Sequence, residues 1–512
     1  MASAARHESY WNATAPGRGH GPLTGEMEVE VAIVGGGIVG VTLARLLKDR
    51  GVSFALVEAR RVGEGVTGKS TAKITSQHNI AYTVIERKFG EAGARHYANA
   101  NEAGLRTIVE LADRHAIACN LERRPAITYT RDEQYVSEIE KEAELARRLG
   151  LPASLTRDTG LPFDVAAAMR WDDQARFHPV RYVKQLAATL PGEGGYVFEE
   201  SRVVDWDGNR IATAAGTIKA RHVAMATHLP LGRTGFFYAE THPHMHAVIM
   251  GRAEVGRVPE GMYISVETPH HSVRGHRDDE GQDWIICTGP TFKHGHVDGE
   301  REAFAEIERF AAENFGVAAD YRWTNEDYSP IDHAPFVGWS SRTAGACLVA
   351  TGFNGWGITT GTAAAMLLAD LAIGRDNPWL ELFDARRVKP VAGGPEFVKN
   401  NAEVAVDLVG GYLARRPGDL GALTPGGATV LKIEGRNVAA YRDPAGQLYA
   451  VSAACTHMGC IVGWNETDRS WDCPCHGSRF AFDGAVIHGP AVEPLQPLGT
   501  EASETDQATL SA

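Results

Sequence analysis

The sequence predicts a two-part fold, an α/β domain carrying an extra strand-rich segment, followed by a small all-β domain. Three observations predict it. A β-branched run, Val29-Glu-Val-Ala-Ile-Val34, leads into Gly35-Gly-Gly37-Ile-Val-Gly40 and then the helical stretch Val41 to Asp49, which is strand, glycine turn and helix in order. Strand-like segments rich in His, Tyr and Trp occupy Ala239 to Lys293. From Gly426 onward short strands alternate with turns such as Asp443-Pro-Ala-Gly446. The divisions are an N-terminal surface segment over 1–28, a main domain over 29–390, a Gly- and Pro-punctuated connector over 391–425 that includes a helix from Glu396 to Arg415, and the small domain over 426–512.

Composition bounds the function. The chain has 512 residues, 44% of them hydrophobic and 22% charged, which suits a globular protein with several cores. A net charge of −13 without a basic stripe argues against a nucleic-acid partner. No run approaches the ~20 apolar residues of a membrane span, and Met1 to Glu26 lacks the charged start and apolar core of a secretory signal. A cytoplasmic location without a membrane partner is the expectation. Of seven cysteines, Cys119, Cys287 and Cys347 are scattered and read as buried free thiols.

The glycine turn carries the first chemistry. Gly35 permits the tight turn, Gly37 admits a pyrophosphate to the backbone, and Gly40 lets helix and strand pack closely. The second strand, Ser53-Phe-Ala-Leu-Val57, ends at Glu58, which can accept from ribose hydroxyls while the helix N-terminus at Ile38 faces the phosphates. Ala92 to Gly150 reads as helical, Phe198 to Ile218 as strands, and His222 to Thr227 as a further buried strand.

The second chemistry lies in Cys455-Thr-His-Met-Gly-Cys460 and Cys473-Pro-Cys-His-Gly-Ser478. Two thiolates and two imidazoles suit zinc as well as iron. The pair of motifs resembles the Rieske family, whose 2Fe-2S cluster takes two Cys on one iron and two His on the other. The resemblance implies Cys455, His457, Cys473 and His476 as cluster ligands and a disulfide between Cys460 and Cys475. It also implies a hydrogen bond from Ser478 to a bridging sulfide. Phe480 stands where high-potential members carry Tyr, so the potential is expected below theirs within the family range of about −150 to +300 mV.

Other stretches resemble the D-amino-acid oxidase-like class of FAD enzymes. They are Gly63-Glu-Gly65 with Thr67-Gly-Lys-Ser-Thr-Ala-Lys-Ile-Thr75, and Leu348-Val-Ala-Thr-Gly-Phe-Asn-Gly-Trp-Gly357 with the amphipathic run that follows. The string Ser70 to Tyr82, together with the C-terminal unit, resembles a bacterial subfamily with an appended Rieske domain. The resemblance implies a Rossmann-like FAD-binding domain with an inserted antiparallel substrate sheet. It adds Lys69, Ser70, Thr71 and Thr75 to the flavin site, with Val203 at the adenine, Thr227 at the strand end, and Gly352, Gly355, Trp356, Gly357 and Ile358 at the ring. No cysteine stands between Trp323 and Trp339, where several relatives attach flavin, so FAD is expected to be non-covalent.

In such enzymes the flavin carries the chemistry while side chains orient the substrate. His78 is either a group facing the ring or a satisfied structural imidazole. Arg274 is either a bidentate carboxylate clamp or a sheet-edge residue. Lys69 and Lys73 either neutralise phosphates or cap a loop, and Trp356 and Tyr263 are pocket candidates or packing. The class implies oxidation of a small amine or amino acid, with electrons passed through the cluster to an outside acceptor protein. Two alternatives stand beside it: a flavin-dependent reductase or desaturase fed through the cluster, and an electron-transfer or redox-sensing module without a substrate.

Overall fold

A computed structural model describes residues 5–498 except 16, 18, 255, 342–345, 388–400, 403, 409 and 413–417. At its centre, strand Gly25–Val34 pairs in parallel with Gly216–Met225 on one side and Phe54–Val57 on the other. The pairing makes residues 31–34 a fully buried run, as a sheet covered on both faces requires. Gly195–Phe198 extends one edge. Arg210–Thr213 and Val203–Trp206 extend the other, and Leu348–Thr351 joins at the end of Gly216–Met225 beside Phe336–Trp339. Helices Ile38–Asp49 and Thr359–Ala372 pack together on this sheet, with Ala81–Arg114 beside the second of them. That long helix is interrupted at Gly90, whose φ of 73° is non-helical.

The second sheet has eight strands, ordered Tyr321–Pro330, Thr241–Arg252, Asp283–Phe292, Ser272–Arg277, Met262–Ser265, Ala126–Thr130, Ala167–Trp171 and Ala153–Thr156. It is antiparallel except where Met262–Ser265 runs parallel to Ala126–Thr130. The latter strand lies within the stretch read as helical. Its sequence Ala-Ile-Thr-Tyr-Thr is rich in strand formers and is buried throughout, so long-range pairing displaced the helix. Helix Val297–Phe315 covers this sheet, as Ala303, Phe304, Ile307, Phe310 and Ala311 pack with Ala247, Ile249, Ile285 and Cys287.

The N-terminal segment differs from the expectation of a surface segment. Tyr10 is 3% exposed and Trp11 is fully buried, and the Trp11 indole donates to the Ser70 carbonyl at 2.9 Å. The segment thereby pins the loop that follows the second strand. Cys119, Cys287 and Cys347 are buried free thiols, as read.

The small domain contains a three-stranded antiparallel sheet, Ala428–Ile433, Arg436–Arg442 and Leu448–Ser452, and a four-stranded one, Gly463–Asn465, Ser470–Asp472, Arg479–Ala481 and Val486–His488. Most of the expected helix from Glu396 to Arg415 lies outside the described residues, although 401, 402, 404–408 and 410–412 are helical. The domain docks against the rest of the chain through polar contacts. Arg202 donates to the Val486 carbonyl at 2.6 Å, and Glu300 accepts from the Glu466 and Thr467 amides at 3.0 and 2.8 Å. Gly295 and Gly463 meet so closely that a Cβ on Gly463 would lie 2.0 Å from the Gly295 carbonyl oxygen.

Among the described residues, no helix is long and apolar enough to cross a membrane.

Candidate redox and substrate sites

The glycine turn forms a cradle. Gly35 has φ 108°, and a Cβ there would lie 2.4 Å from the Ala226 carbonyl oxygen; one on Gly40 would lie 1.9 Å from that of Gly35. Both positions therefore require glycine, for the turn and for close packing. Glu58 accepts from the Gly36 amide at 2.7 Å and the Arg60 amide at 2.9 Å, which leaves its carboxylate at the cavity wall. The Ile38 amide donates to the Thr67 hydroxyl at 3.0 Å, so Thr67 caps a helix whose N-cap, Gly37, has no side chain to do so.

The cavity above this turn is lined by Gly35, Gly37, Ile38, Glu58, Ser70, Val203, Thr227, Gly355, Gly357 and Ile358 among others, and by no cysteine. These lining residues come from the sequence reading. Its other flavin residues are placed elsewhere. Gly40 packs beneath the turn. Thr75 is buried and its carbonyl accepts from the Thr359 hydroxyl at 2.7 Å. Gly352 makes a turn at φ 76° against Pro330. Lys69 pairs with Asp468 of the small domain. Thr71 and Trp356 line the neighbouring cavity. An open groove with helix-terminal amides, an acid at the second strand and glycines where side chains would intrude fits a dinucleotide.

That neighbouring cavity is about 690 Å³ and shares Ser70, Asn325, Gly355 and Ile358 with the first. Its roof is unusual. Strand Thr241–Arg252 places His242, His244 and His246 at alternate positions, and alternation directs all three to one face. His270 joins them, its ring 6.1 Å from that of His246. Burial holds His246 down to about 3 and His270 to about 4, so both are neutral at pH 7. Lys73 also lines the cavity, donating to the Tyr263 carbonyl at 2.9 Å and to the Ser272 hydroxyl. Burial first, then the nearby Arg274, lowers Lys73 to about 7.

The two residues read as catalytic stand differently. His78 lines the cavity, but its Nε2–H donates to the Thr75 carbonyl at 2.8 Å and its Nδ1 accepts from the Tyr97 hydroxyl at 2.7 Å. Its ring stacks on Trp356 at 4.6 Å, and burial lowers it to about 3. It is a fixed, neutral support for Trp356. Arg274 is fully buried and donates to the carbonyls of Thr71, Gly275 and Phe177, with its guanidinium over Trp11. Those carbonyls and that ring occupy the fork that a substrate carboxylate would need, so the clamp reading is corrected to a structural one. Tyr263 is likewise buried, its hydroxyl donating to the Thr159 carbonyl at 2.7 Å.

In the small domain, Cys460 and Cys475 form a disulfide that joins the two ligand loops. Cys455 and Cys473 are free and buried. The His457 and His476 rings lie 5.0 Å apart, and His457 Nδ1 and Nε2 and His476 Nδ1 are buried without a hydrogen-bond partner. Unsatisfied imidazoles beside two free thiols fit a cluster's donor set. Ser478 is fully buried and its hydroxyl accepts from the Ala491 amide at 3.0 Å.

The two sites face one another. Tyr238, from the larger domain, packs edge-on against both His457 and His476 at 5.0 Å. His488, Gly489 and Ala491 of the small domain line the dinucleotide cavity, and the ligand atoms of His228, Glu326 and His488 converge within 4.8 Å where the domains meet. The sequence reading placed Thr67 in the flavin-class stretch and read 239–293 as His-rich strands, but it assigned no role to Thr67, to this junction or to the individual histidines of the roof. Only the roof had a local signal, the alternation His242-Pro-His-Met-His246.

Comparison with known proteins agrees with this geometry. The FAD dependent oxidoreductase family matches residues 30–371, and the Rieske [2Fe-2S] domain matches residues 416–499. The Rieske 2Fe-2S iron-sulfur protein YhfW of Bacillus subtilis (strain 168) is 34% identical over 96% of this chain and 97% of its own length. Among solved structures, glycine oxidase from Geobacillus kaustophilus superposes with a TM-score of 0.58 at 19% identity, covering 70% of this chain and 99% of that one. L-proline dehydrogenase from P. horikoshii gives 0.57 at 19% identity, covering 71% and 98%.

Proposed function

Starting from a chain that belongs to the FAD-dependent oxidoreductase family, of amino acid oxidase type with a Rieske domain, we propose that it oxidises a small amine or amino acid-like substrate and passes the electrons to its own cluster. FAD supplies hydride acceptance and the 2Fe-2S centre one-electron transfer. The observation that carries the reading is the orientation of the small domain: both imidazole ligands are buried against Tyr238, and residues 487–489 help wall the FAD cavity. A cluster serving only an outside protein would gain nothing from covering that edge.

The substrate half rests on the adjoining cavity. Lys73 lines it as a buried amine that donates to the Tyr263 carbonyl and the Ser272 hydroxyl and, among the described residues, is in no salt bridge, so an anionic substrate group would supply a counter-charge. The neutral roof imidazoles can hydrogen-bond a substrate without repelling an amine. A module without a substrate would not need 690 Å³ beside the flavin.

The test is an anaerobic optical and EPR titration with secondary amines and amino acids, and with NADH and NADPH alongside. Bleaching of the flavin by an amine, followed by growth of a Rieske signal, supports the reading. If only a reduced nicotinamide or reduced ferredoxin does this, the current runs inward and the amine assignment is abandoned.

A further inference from the structure

We propose that Tyr328, a residue of the larger domain, tunes the reduction potential of the Rieske cluster from across the domain boundary. Strand Tyr321–Pro330 passes between the two redox sites. Alternation along it sends neighbouring side chains to opposite faces. Asp327 lines the FAD cavity and accepts from the Gly355 amide, whereas Glu326 and Tyr328 face the ligand loop of the small domain. Tyr328 is fully buried, and its hydroxyl lies 2.9 Å from Glu326 Oε1 and 3.2 Å from the carbonyl oxygen of His476. The fit is tight. Gly477, at φ 74°, follows His476, and a Cβ there would lie 2.4 Å from the Tyr328 hydroxyl and 2.6 Å from Glu326 Oε1.

Reduction adds one negative charge to the cluster. A hydroxyl proton directed at the ligand loop stabilises that charge more than it stabilises the oxidised form, and it does so in a buried setting where dipoles are poorly screened. The small domain lacks such a phenol of its own two residues beyond Ser478, where Phe480 is buried. The larger domain places one against the loop instead. The phenol has one proton and two acceptors, so the Glu326 carboxylate competes with His476 for it. The cluster therefore reaches its working potential only when the domains are docked, whichever way electrons flow.

The experiment is an EPR-monitored redox titration of the full-length protein with both cofactors bound, as wild type, Tyr328→Phe and Glu326→Gln. Tyr328→Phe keeps the ring and removes the hydroxyl, and it should lower the midpoint. At the wild-type midpoint the reduced-to-oxidised ratio should fall about tenfold, ~59 mV for a one-electron centre. Glu326→Gln removes the negative charge and leaves only a neutral, weaker amide oxygen to compete for the phenol proton, so the midpoint should rise. Opposite shifts with unchanged g-values are not a signature of general loosening. An unchanged midpoint in Tyr328→Phe, or a fall in Glu326→Gln, overturns the proposal. Should Tyr328→Phe not retain its cluster, Tyr328→Leu, which also lacks the hydroxyl, takes its place, a lowered midpoint supporting the proposal and any other result overturning it.

Discussion

Replacing Asp468 with Asn tests how the two domains are held together. Asp468 sits in the turn between two strands of the small domain. It accepts from Lys69 Nζ, from Arg479 Nη2 at 2.9 Å and from the Thr324 hydroxyl at 2.8 Å. Its side chain is 10% exposed and that of Lys69 is 21% exposed, so solvent screens the pair little. Burial alone would raise the Asp468 carboxyl, but Lys69 and Arg479 overcome it and hold the group well below the usual carboxylate range. A unit pair ~3 Å apart is worth about 5 kcal/mol at an effective dielectric of ~20. Removing one partner of a buried pair costs about 3–5 kcal/mol. Lys69 can shed its proton in the variant, since burial already lowers it, so the lower end applies. About 3 kcal/mol corresponds to a docking equilibrium weakened ~150-fold. The assay is urea unfolding followed by visible circular dichroism of the cluster and by flavin fluorescence, with Asp298→Asn, whose side chain is 95% exposed, as the control. The cluster signal of Asp468→Asn should be lost at clearly lower urea, and flavin fluorescence should rise with it because docking walls the FAD cavity. Because the folded carboxyl is depressed, wild-type docking should persist above the ordinary carboxylate range and weaken only as pH falls below it. A urea midpoint no lower than that of the control would refute the reasoning.

Three further predictions concern single sites. Gly40→Ala should abolish FAD retention through purification while leaving the cluster's EPR signal, since the added Cβ meets the Gly35 carbonyl at 1.9 Å; flavin recovered at full stoichiometry would contradict the packing argument. Lys73→Met should raise KM for a carboxylate-bearing substrate by about tenfold or more, the loss of a charged hydrogen bond, and change kcat less. In the wild type, with Lys73 lowered to about 7, that affinity should weaken as pH rises through 7, and a flat profile would exclude Lys73 as the anchor. Glu142 is fully buried and accepts from the Tyr82 and Thr83 amides at 2.7 and 2.8 Å at the start of helix Ala81–Arg114, with burial raising it to about 7. The folded state therefore binds the extra proton, and stability should fall by up to about 3 kcal/mol as pH rises from ~4.3 to ~7; Glu142→Gln should remove that slope in denaturation measured across this range.

What was legible in the sequence was local. The strand, Gly35-Gly-Gly37-Ile-Val-Gly40 turn and helix form one continuous segment, and steric demands at Gly35 and Gly40 arise from residues near them in the chain or in the adjacent strand. The Cys and His pairs at 455–460 and 473–478 lie on two short loops whose spacing is itself the signal. The strand Ala126–Thr130 was not legible, because its helical neighbours set the local pattern while its pairing partners, Ala167–Trp171 and Met262–Ser265, both lie beyond the following helix.

Arg274 and Lys73 show the same division at the site. By itself the sequence determined a glycine turn and following loop of a flavin class, with Lys73 in that loop, and an iron-sulfur motif near its end, and it left the roles of Arg274 and Lys73 open. Only the tertiary structure decided that Arg274 is enclosed by the Thr71, Gly275 and Phe177 carbonyls while Lys73 opens onto the cavity, that Lys69 ties down Asp468, and that the imidazole edge of the cluster faces the FAD domain. Each outcome depends on which distant backbone carbonyl, carboxylate or ring arrives beside a charged or polar group, and that is settled by packing rather than by spacing along the chain.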